Sequence, residues 1–412
     1  MTRYVIIGNS AAAVGCVEGI RQVDREGPIT IISDEPHHTY SRPLISYLLE
    51  GKTDRVRMQY RGADFYEKNG VTPLLGKRAA SIDPEKKSVT LTSGEKIPYD
   101  KLLVAAGSRP FLPPTEGQET VTKAFTFMNL DSALALEKAL TPASRVLIVG
   151  AGLIGLKCAE GIAHRVNTIT VVDMADRILP SILDEAGSTL VQEHLEEKGL
   201  TFHLSDCVAK FEPDAAILKS GQRIPFDILV MAVGVRPNTS LIADAGGLVR
   251  RGVVTDEFCR TSLSDVYAAG DCAQSFDITT GQERVLALLP NAYMQGETAG
   301  IHMAGGGGKP YDRAIPMNAI GFFGLHIITA GSYQGEDVRM QKGKTYKRLF
   351  YQDDRLKGYI LIGNVERAGI YTSLIREQTP LSSIDFDLIC EKPQLMAFSK
   401  RARAKALSGA AG

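Results

Sequence analysis

Residues 146–159 read Val-Leu-Ile-Val-Gly-Ala-Gly-Leu-Ile-Gly-Leu-Lys-Cys-Ala. Four apolar residues, typical of a buried parallel strand, lead into Gly150, Gly152 and Gly155 and then into a helical pattern. Glycines let a pyrophosphate approach the backbone closely, and the start of a helix offers unpaired N–H groups with a partial positive charge. The stretch therefore predicts a turn that binds the phosphates of a dinucleotide.

A looser copy of this pattern stands at the N-terminus, where residues 4–15 read Tyr-Val-Ile-Ile-Gly-Asn-Ser-Ala-Ala-Ala-Val-Gly. Gly8 keeps the first glycine position, whereas Ser10 and Ala13 replace the other two. A Ser hydroxyl can donate to a phosphate, and Ala still allows tight packing of the helix. Two such turns in one chain predict two dinucleotides bound face to face, an arrangement that moves electrons between a nicotinamide and a flavin.

Each copy has an acidic residue after its next predicted strand. Asp173 stands where a carboxylate accepts hydrogen bonds from the adenosine ribose hydroxyls. Its charge repels a 2′-phosphate, so NAD is favoured over NADP, although Arg177 nearby in sequence weakens that preference. In the first copy either Asp34 or Glu35 would hold the ribose, and both alternatives stay open.

Length and charge exclude other classes of protein. The 412 residues are too many for one ordinary core, so two or three domains are expected. The formal net charge is zero, which argues against a nucleic-acid-binding face. No apolar run approaches the roughly 20 residues of a membrane span, and the first strand leaves no room for a signal peptide. We therefore expect a cytoplasmic protein.

The six cysteines are scattered and form no Cys-x-x-Cys pair. This pattern argues against a metal site, an iron–sulfur cluster held by this chain or a paired dithiol. We therefore expect free, reduced thiols that act as small packing residues.

Two segments that close the repeated units echo each other. Residues 102–110 read Leu-Leu-Val-Ala-Ala-Gly-Ser-Arg-Pro, and residues 228–237 read Ile-Leu-Val-Met-Ala-Val-Gly-Val-Arg-Pro. This echo indicates a diverged internal duplication of a nucleotide-binding half.

The pattern changes after the glycine run 305–308. Alternating residues at 344–352 and 355–362 predict strands of an antiparallel sheet, and helices are predicted near 366–376 and 391–406. These elements predict a third domain of the α+β class.

Residues 266–273, Val-Tyr-Ala-Ala-Gly-Asp-Cys-Ala, place Asp271 on a sharp turn after a strand, where it can accept from a ribityl hydroxyl of a flavin. With its motifs in this order, the chain resembles the FAD-dependent pyridine nucleotide-disulfide oxidoreductase superfamily over residues 1–310. Residues 40–46, Tyr-Ser-Arg-Pro-Leu-Ile-Ser, resemble NADH:rubredoxin reductases and the N-terminal part of nitrite reductase large subunits. Residues 346–363 resemble the interface domain of the rubredoxin reductase type.

The resemblance implies an α/β fold that is glutathione-reductase-like: two Rossmann-like dinucleotide-binding domains and a C-terminal α+β interface domain. The FAD-binding domain would be discontinuous, at 1–110 and 240–310, with the NAD-binding domain at 111–239 and the interface domain at 311–412. The cofactors would be FAD and NAD(H). The residues implied to contact FAD are Gly8, Ser10, Ala12, Ala13, Asp34, Glu35, Arg42, Ala79, Gly107, Asp271 and Leu289. Those implied to contact NAD are Gly150, Gly152, Leu153, Ile154, Gly155, Asp173 and Gly234.

Two departures from the superfamily's pattern affect the chemistry. Members that use a thiol place a redox cysteine near the flavin, and Ile45 stands at that position, so electrons are expected to leave the flavin directly. Members of this group often set a Lys and a Glu close to the flavin N5, where this chain has Tyr47 and Lys157. Our hypothesis is that Lys157 stabilises the reduced flavin by its charge, with Tyr47 as a neutral hydrogen-bond partner; the alternative is that Lys157 points to solvent.

Three functions compete at this point. The first is a reductase that passes electrons from NADH to a rubredoxin- or ferredoxin-like protein. The second is the NAD-reacting flavin subunit of a larger dehydrogenase whose partner subunits carry iron–sulfur clusters. The third is a regulatory protein that binds FAD and NAD and turns over slowly. A homodimer is possible, and the basic stretch 400–405 could dock an acidic carrier, although a solvated terminus is the simpler interpretation.

Overall fold

The structure is a computed structural model that describes residues 1–399. These residues form strands β1 to β25 and helices α1 to α10, joined by turns and short 3-10 segments. The strands, in chain order, are Tyr4–Ile7, Ile29–Ser33, Val71–Leu75, Ala79–Asp83, Ser88–Leu91, Lys96–Pro98, Lys101–Val104, Ser108–Pro110, Ala124–Thr126, Arg145–Val149, Thr168–Val172, Leu200–His203, Val208–Glu212, Ala215–Leu218, Arg223–Pro225, Ile228–Met231, Val235–Pro237, Val266–Ala268, Ser275–Asp277, Gln282–Arg284, Met317–Phe322, Leu325–Gly331, Glu336–Lys342, Thr345–Gln352 and Arg355–Ile362. The helices are Ala11–Val23, Ile45–Leu49, Phe65–Lys68, Leu130–Ala139, Leu153–Ile162, Glu185–Glu196, Ser240–Asp244, Leu289–Met303, Ala368–Arg376 and Phe386–Glu391.

Two parallel five-stranded sheets carry the two glycine turns. The first has the order β18-β7-β1-β2-β3, and the second has the order β12-β11-β10-β16-β9. In each sheet the strand before the glycine turn, β1 or β10, lies at the centre between two parallel neighbours. In each sheet, the carboxyl ends of the parallel strands therefore lie at the same edge. Dinucleotides bind at that edge in this class of fold. This arrangement confirms the predicted α/β class with two Rossmann-like sheets.

Helices α1 and α8 approach each other so closely that only glycine fits at their crossing. A Cβ at Gly296 would overlap the carbonyl oxygen of Ala12, and a Cβ at Gly300 would overlap that of Cys16. Both helices pack on the core of the first sheet, which includes Ala13 and Ala299. The crossing therefore fixes the start of α1, next to the first glycine turn, against α8.

The two echoing segments pair with each other. Strands β8 and β17 form an antiparallel ribbon in which Ser108 faces Pro237 and Pro110 faces Val235. The backbone N–H of Asn238 donates to the carbonyl of Gly107 at 2.9 Å. The ribbon thus joins the ends of the two repeated halves.

Contacts divide the chain into two compact units. The first comprises 1–176, 199–276 and 282–314, and the second comprises 177–198, 277–281 and the segment from 315 onward. This division does not test the three predicted domains, whose boundaries stay predictions. All of the residues implied to contact FAD or NAD belong to the first unit.

The second unit is built on an antiparallel sheet with the order β21-β22-β25-β24-β23. Helix α9 packs its buried face, including Tyr371 and Ile375, on that sheet. The predicted strands near 344–352 and 355–362 are confirmed as β24 and β25. The helix predicted over 391–406 is wrong in its described part, because α10 ends at Glu391 and Pro393 follows, which lacks a backbone N–H and restricts the preceding residue. The basic stretch 400–405 lies outside the described residues.

Candidate functional site

The first glycine turn leaves the start of α1 open. Gly8 has φ +118°, and a Cβ there would overlap the carbonyl of Ala105, so only glycine lets the chain turn against β7. Ser10 is the N-cap of α1, and its hydroxyl does not cap the helix. The first turn of α1 contains no acidic residue, and Ala12 and Ala13 are buried against the core. The N–H groups at this helix start are therefore suited to an anion.

The two candidate ribose acids of the first copy have different surroundings. Glu35 pairs with Arg42, and it accepts a hydrogen bond from the Tyr40 hydroxyl at 2.6 Å. Asp34 is exposed, and its carboxylate has no hydrogen bond or ion pair with another residue in the range 1–399. The carboxylate of Asp34 is thus open to a ligand, whereas that of Glu35 is engaged.

Asp271 lies in a short 3-10 turn, Gly270–Cys272, directly after β18. Gly270 has φ +80°, and its N–H donates to the Gln295 side chain at 2.6 Å, which fixes the turn against α8. The Ser108 hydroxyl donates to the Asp271 carboxylate at 3.2 Å. Burial raises the pKa of Asp271, while Ser108 and the charge of Arg42 act in the opposite direction. The structure therefore brings Arg42 and Asp271, both predicted to contact FAD, into one electrostatic neighbourhood.

The second glycine turn has the same geometry. Gly150 has φ +117°, and a Cβ there would overlap the carbonyl of Ala232. A Cβ at Gly155 would overlap the carbonyl of Gly150, which explains the need for a third glycine where helix and turn touch. Gly152 is the N-cap of α5, and a Cβ there would meet no atom within 4 Å. Leu153 and Ile154 begin α5 and are partly exposed.

The carboxylate of Asp173 is hydrogen-bonded to the backbone of the second glycine turn. Its carboxylate accepts from the backbone N–H of Ala151 at 2.6 Å and from that of Ala175 at 2.8 Å. The residue is partly exposed, and each carboxylate oxygen has lone pairs to spare. The predicted ribose acid of the second copy is therefore fixed beside the phosphate-binding turn.

Lys157 and Tyr47 are in contact. The ammonium of Lys157 lies 4.5 Å from the centroid of the Tyr47 ring and pairs with Glu160, one turn later on α5. The side chain of Lys157 is 14% exposed and that of Glu160 is 5% exposed. Lys157 therefore does not extend into solvent, and its described contact with Tyr47 is through the ring face. The lysine lies on the helix that follows the second glycine turn, and α2, which carries Tyr47, packs closely on that helix at Gly161.

The remaining predicted contacts lie in four places. Gly107 and Gly234 both have positive φ, +65° and +114°, and a Cβ at either would meet nothing within 4 Å. Leu289 begins α8 and packs on the core that contains Ala12 and Ala13. Ala79 begins β4 in a separate three-stranded sheet, and no described contact joins it to the other predicted site residues.

The cradles fit the cofactors that the sequence implies. Open space at Gly107, Gly152 and Gly234, two uncapped helix starts and carboxylates at the strand ends match the phosphates and hydroxyls of dinucleotides.

Sequence reasoning missed several partners of the site. Glu160 could have been found, since it stands three residues after Lys157 on a predicted helix. The contacts of Ser108 with Asp271, of Gln295 with Gly270 and of Tyr40 with Leu130 could not be predicted, because each joins segments that are distant in the chain.

Comparisons with known proteins agree with this geometry. A family model described as pyridine nucleotide-disulphide oxidoreductase matches residues 2–296. A second, described as the C-terminal domain of rubredoxin NAD+ reductase, matches residues 316–379.

Curated relatives cover almost the whole chain. It is 31% identical over 395 residues to the epsilon subunit of the NADH-dependent phenylglyoxylate dehydrogenase of Aromatoleum evansii, and the match covers 93% of each chain. It is 30% identical to the assimilatory nitrate reductase electron transfer subunit of Bacillus subtilis (strain 168), over 91% of this chain and 49% of that protein. The chain thus spans about half the length of the second relative.

Solved structures share the fold. Putidaredoxin reductase, in its covalent complex with putidaredoxin, superposes with a TM-score of 0.87 at 23% identity over 99% of each chain. NADH:rubredoxin oxidoreductase from Clostridium acetobutylicum superposes with a TM-score of 0.76 at 24% identity, over 95% of this chain and 99% of that one.

Proposed function

The chain belongs to the pyridine nucleotide-disulphide oxidoreductase family, as its motifs predict, and we propose that it passes electrons from NADH through FAD to a small protein carrier of the rubredoxin or ferredoxin type. It is an NAD(H)-dependent flavoprotein oxidoreductase. The observation that carries the proposal is the presence of two open glycine turns, each before a helix and beside a carboxylate, within one compact unit. The match of residues 316–379 to the rubredoxin reductase C-terminal domain supports the type of carrier.

The protein's part in the reaction is binding and orientation. When bound, FAD would supply the redox chemistry, because it can exchange a hydride with the nicotinamide and single electrons with the carrier. The turn at Gly8 and Ser10 would hold the pyrophosphate of FAD, and Asp271 would accept from a ribityl hydroxyl. The turn at Gly150 and Gly152 would hold the pyrophosphate of NAD. No side chain acts as an acid or base in the hydride step.

Asp173 favours NADH over NADPH in this proposal. Its carboxylate is fixed by two backbone N–H groups, so it cannot turn away from the adenosine ribose without losing both hydrogen bonds. A 2′-phosphate at that position would face a fixed negative charge.

We place Lys157 and Tyr47 beside the flavin as the residues that tune it. The ammonium lies against the Tyr47 ring and pairs with Glu160, so these protein contacts hold it away from solvent. Tyr47 contributes its ring face to this contact, and its role as a hydrogen-bond partner stays a prediction. A fixed positive charge near the flavin stabilises its reduced form.

We further propose that no cysteine takes part in electron transfer. Ile45, at the position of the redox cysteine in thiol-using members, is buried at the start of α2. Burial raises the pKa of the thiols of Cys16, Cys158 and Cys259, and it raises the pKa of Cys272 to about 11. Thiols with raised pKa values are poor nucleophiles, since the thiolate is the reactive form. A location in the cytoplasm, where thiols stay reduced, accords with six free cysteines.

A second function is favoured by one relative. The phenylglyoxylate dehydrogenase protein that matches over 93% of both chains is named as a subunit, which supports a role for this chain as the NAD-reacting flavin subunit of a larger dehydrogenase. Its partners would then be subunits that carry iron–sulfur clusters.

The test is an anaerobic titration of the FAD-loaded protein with NADH, with NADPH as control. Stoichiometric bleaching of the flavin band by NADH, and a much weaker response to NADPH, is the expected result. Gly152→Ala is a useful variant, because the added methyl meets no atom of the fold but enters the phosphate cradle. We expect it to fold normally and to require far more NADH. No bleaching of the wild type by either nucleotide would overturn the proposal.

A further inference from the structure

Asp34 and Glu35 follow the same strand, and each could serve as the acid that binds the adenosine ribose of FAD. Their surroundings separate them. Asp34 is exposed, with no hydrogen bond or ion pair to a residue of the range 1–399, whereas both carboxylate oxygens of Glu35 are engaged, one by Tyr40 and the other by Arg42.

Tyr40 connects this pair to a second helix. Its hydroxyl donates to Glu35 at 2.6 Å and accepts from the backbone N–H of Leu130, the first residue of α4, at 2.9 Å. Burial is the main cause of a raised pKa at Tyr40, so the phenol stays protonated and keeps this donor role. Glu35 is thereby held between a fixed donor and a guanidinium.

The segment that carries these residues is tied to the first glycine turn. The Asn9 side chain donates to the His37 carbonyl at 3.1 Å, and the Tyr66 hydroxyl links Asn9 to the backbone N–H of Thr39 at 2.9 and 3.1 Å. Arg42 follows directly and acts electrostatically on Asp271. Its guanidinium therefore lies close enough to interact with the Asp271 carboxylate, and its planar fork suits a phosphate.

We propose that Glu35 is a positioning residue that, with Tyr40, holds the Arg42 guanidinium for the pyrophosphate of FAD, and that Asp34 alone accepts from the adenosine ribose. The inference rests on the proposed function, since it takes the first cradle to be the FAD site. It separates two neighbouring acids by role: Glu35 acts through Arg42, and Asp34 acts on the ligand.

The test compares the affinity of the apoprotein for FAD and for an FAD analogue that lacks the 2′- and 3′-hydroxyls of its adenosine. Quenching of flavin fluorescence gives both dissociation constants, and their ratio measures recognition of the ribose. We expect Asp34→Asn to bring this ratio close to one. Glu35→Gln should weaken the binding of both ligands at least tenfold and leave the ratio as in the wild type. General damage to the fold would give the same result, so Arg42 is varied as well.

A double-mutant cycle supplies that distinction. Glu35→Gln and Arg42→Gln should be strongly non-additive, because each removes the same guanidinium contact, while Asp34→Asn and Arg42→Gln should be additive. Tyr40→Phe, which removes one hydroxyl, should give a smaller loss in the same direction as Glu35→Gln. Loss of ribose discrimination in Glu35→Gln, or additivity with Arg42→Gln, would overturn the inference while leaving the proposed function intact. A wild type that does not bind FAD would overturn both.

Discussion

The buried carboxylate of Asp271 opposes folding at neutral pH. Burial raises the pKa of this carboxyl above its unfolded value, so the stability it contributes is present at acidic pH and is lost as the pH rises through the folded pKa. Asp271→Asn keeps an acceptor for Ser108 and removes the charge. We expect the variant apoprotein to be more stable at pH 7, on the order of 1 kcal/mol, with a gain that shrinks as the pH falls toward about 4.

The same variant should bind FAD about ten- to a hundredfold more weakly, since a hydrogen bond to a charged acceptor is replaced by a neutral one. Thermal unfolding from pH 4 to 8 and fluorescence titration measure the two effects. Asp244→Asn, which removes an exposed carboxylate, is the matched control and should change neither. A loss of apoprotein stability at neutral pH in Asp271→Asn would contradict the assignment.

In the proposed function, Lys157 is the residue that tunes the flavin. Lys157→Ala removes the charge held by Tyr47 and Glu160, so the reduced flavin loses stabilisation. We expect the two-electron potential of the flavin to fall by about 30 mV, equivalent to about 1.4 kcal/mol, and reduction by NADH to slow accordingly. Lys138→Ala, on the exposed face of α4, makes the same change of charge elsewhere. Equal potentials and rates in Lys157→Ala and the wild type would rule out this role.

At the residue scale, the sequence predicted which residues lie at the two glycine turns and strand ends, but not which contacts these residues make with one another. The choice between Asp34 and Glu35 depends on Tyr40 and Arg42, whose contacts are set by the path of a loop. The pairing of Lys157 with Glu160 follows from helical spacing, yet its burial follows from the packing of α2 on α5 at Gly161.

The crossing of α1 and α8 is the element on which the first cradle depends. Gly296→Ala would drive a methyl into the backbone of Ala12, so the helices must separate, and we expect a loss of about 1–3 kcal/mol together with weaker FAD binding. Gly369→Ala is the control, since a Cβ at this position in α9 meets no atom within 4 Å, and it should stabilise by about 0.5–1 kcal/mol. Chemical denaturation measures both, and equal effects of the two substitutions would contradict the close crossing.

Elements with strong local patterns were predictable almost to the residue. Strands β24 and β25 lie where the alternating pattern places them, at Thr345–Gln352 and Arg355–Ile362. The α1–α8 crossing was not predictable, because it joins segments about 280 residues apart whose only local sign is a series of glycines. The helix predicted over 391–406 was wrong because the prediction followed composition and did not take Pro393 as the end of the helical pattern.

For the whole molecule, the question is whether the chain works alone or within a complex. If it is a reductase in its own right, the purified FAD-loaded protein should pass electrons from NADH to a small iron–sulfur carrier protein at least ten times faster than to oxygen. Stopped-flow absorbance of the carrier measures this rate. A rate no better than with oxygen, restored only by subunits that co-purify from the native host, would favour the dehydrogenase-subunit function instead. The described residues contain no helix long and apolar enough to cross a membrane.

The ribbon of β8 and β17 has an evolutionary consequence. Because Pro110 and Val235 are paired neighbours, the chain leaves the first nucleotide-binding half and returns to it at almost the same point. The segment between these two residues therefore has adjacent ends. A segment with adjacent ends can be exchanged without changing the path of the chain on either side. If coenzyme choice lies in residues 111–234, as we propose, we expect it to change when that segment is exchanged as a block, provided that residues 177–198, which belong to the second compact unit, are kept.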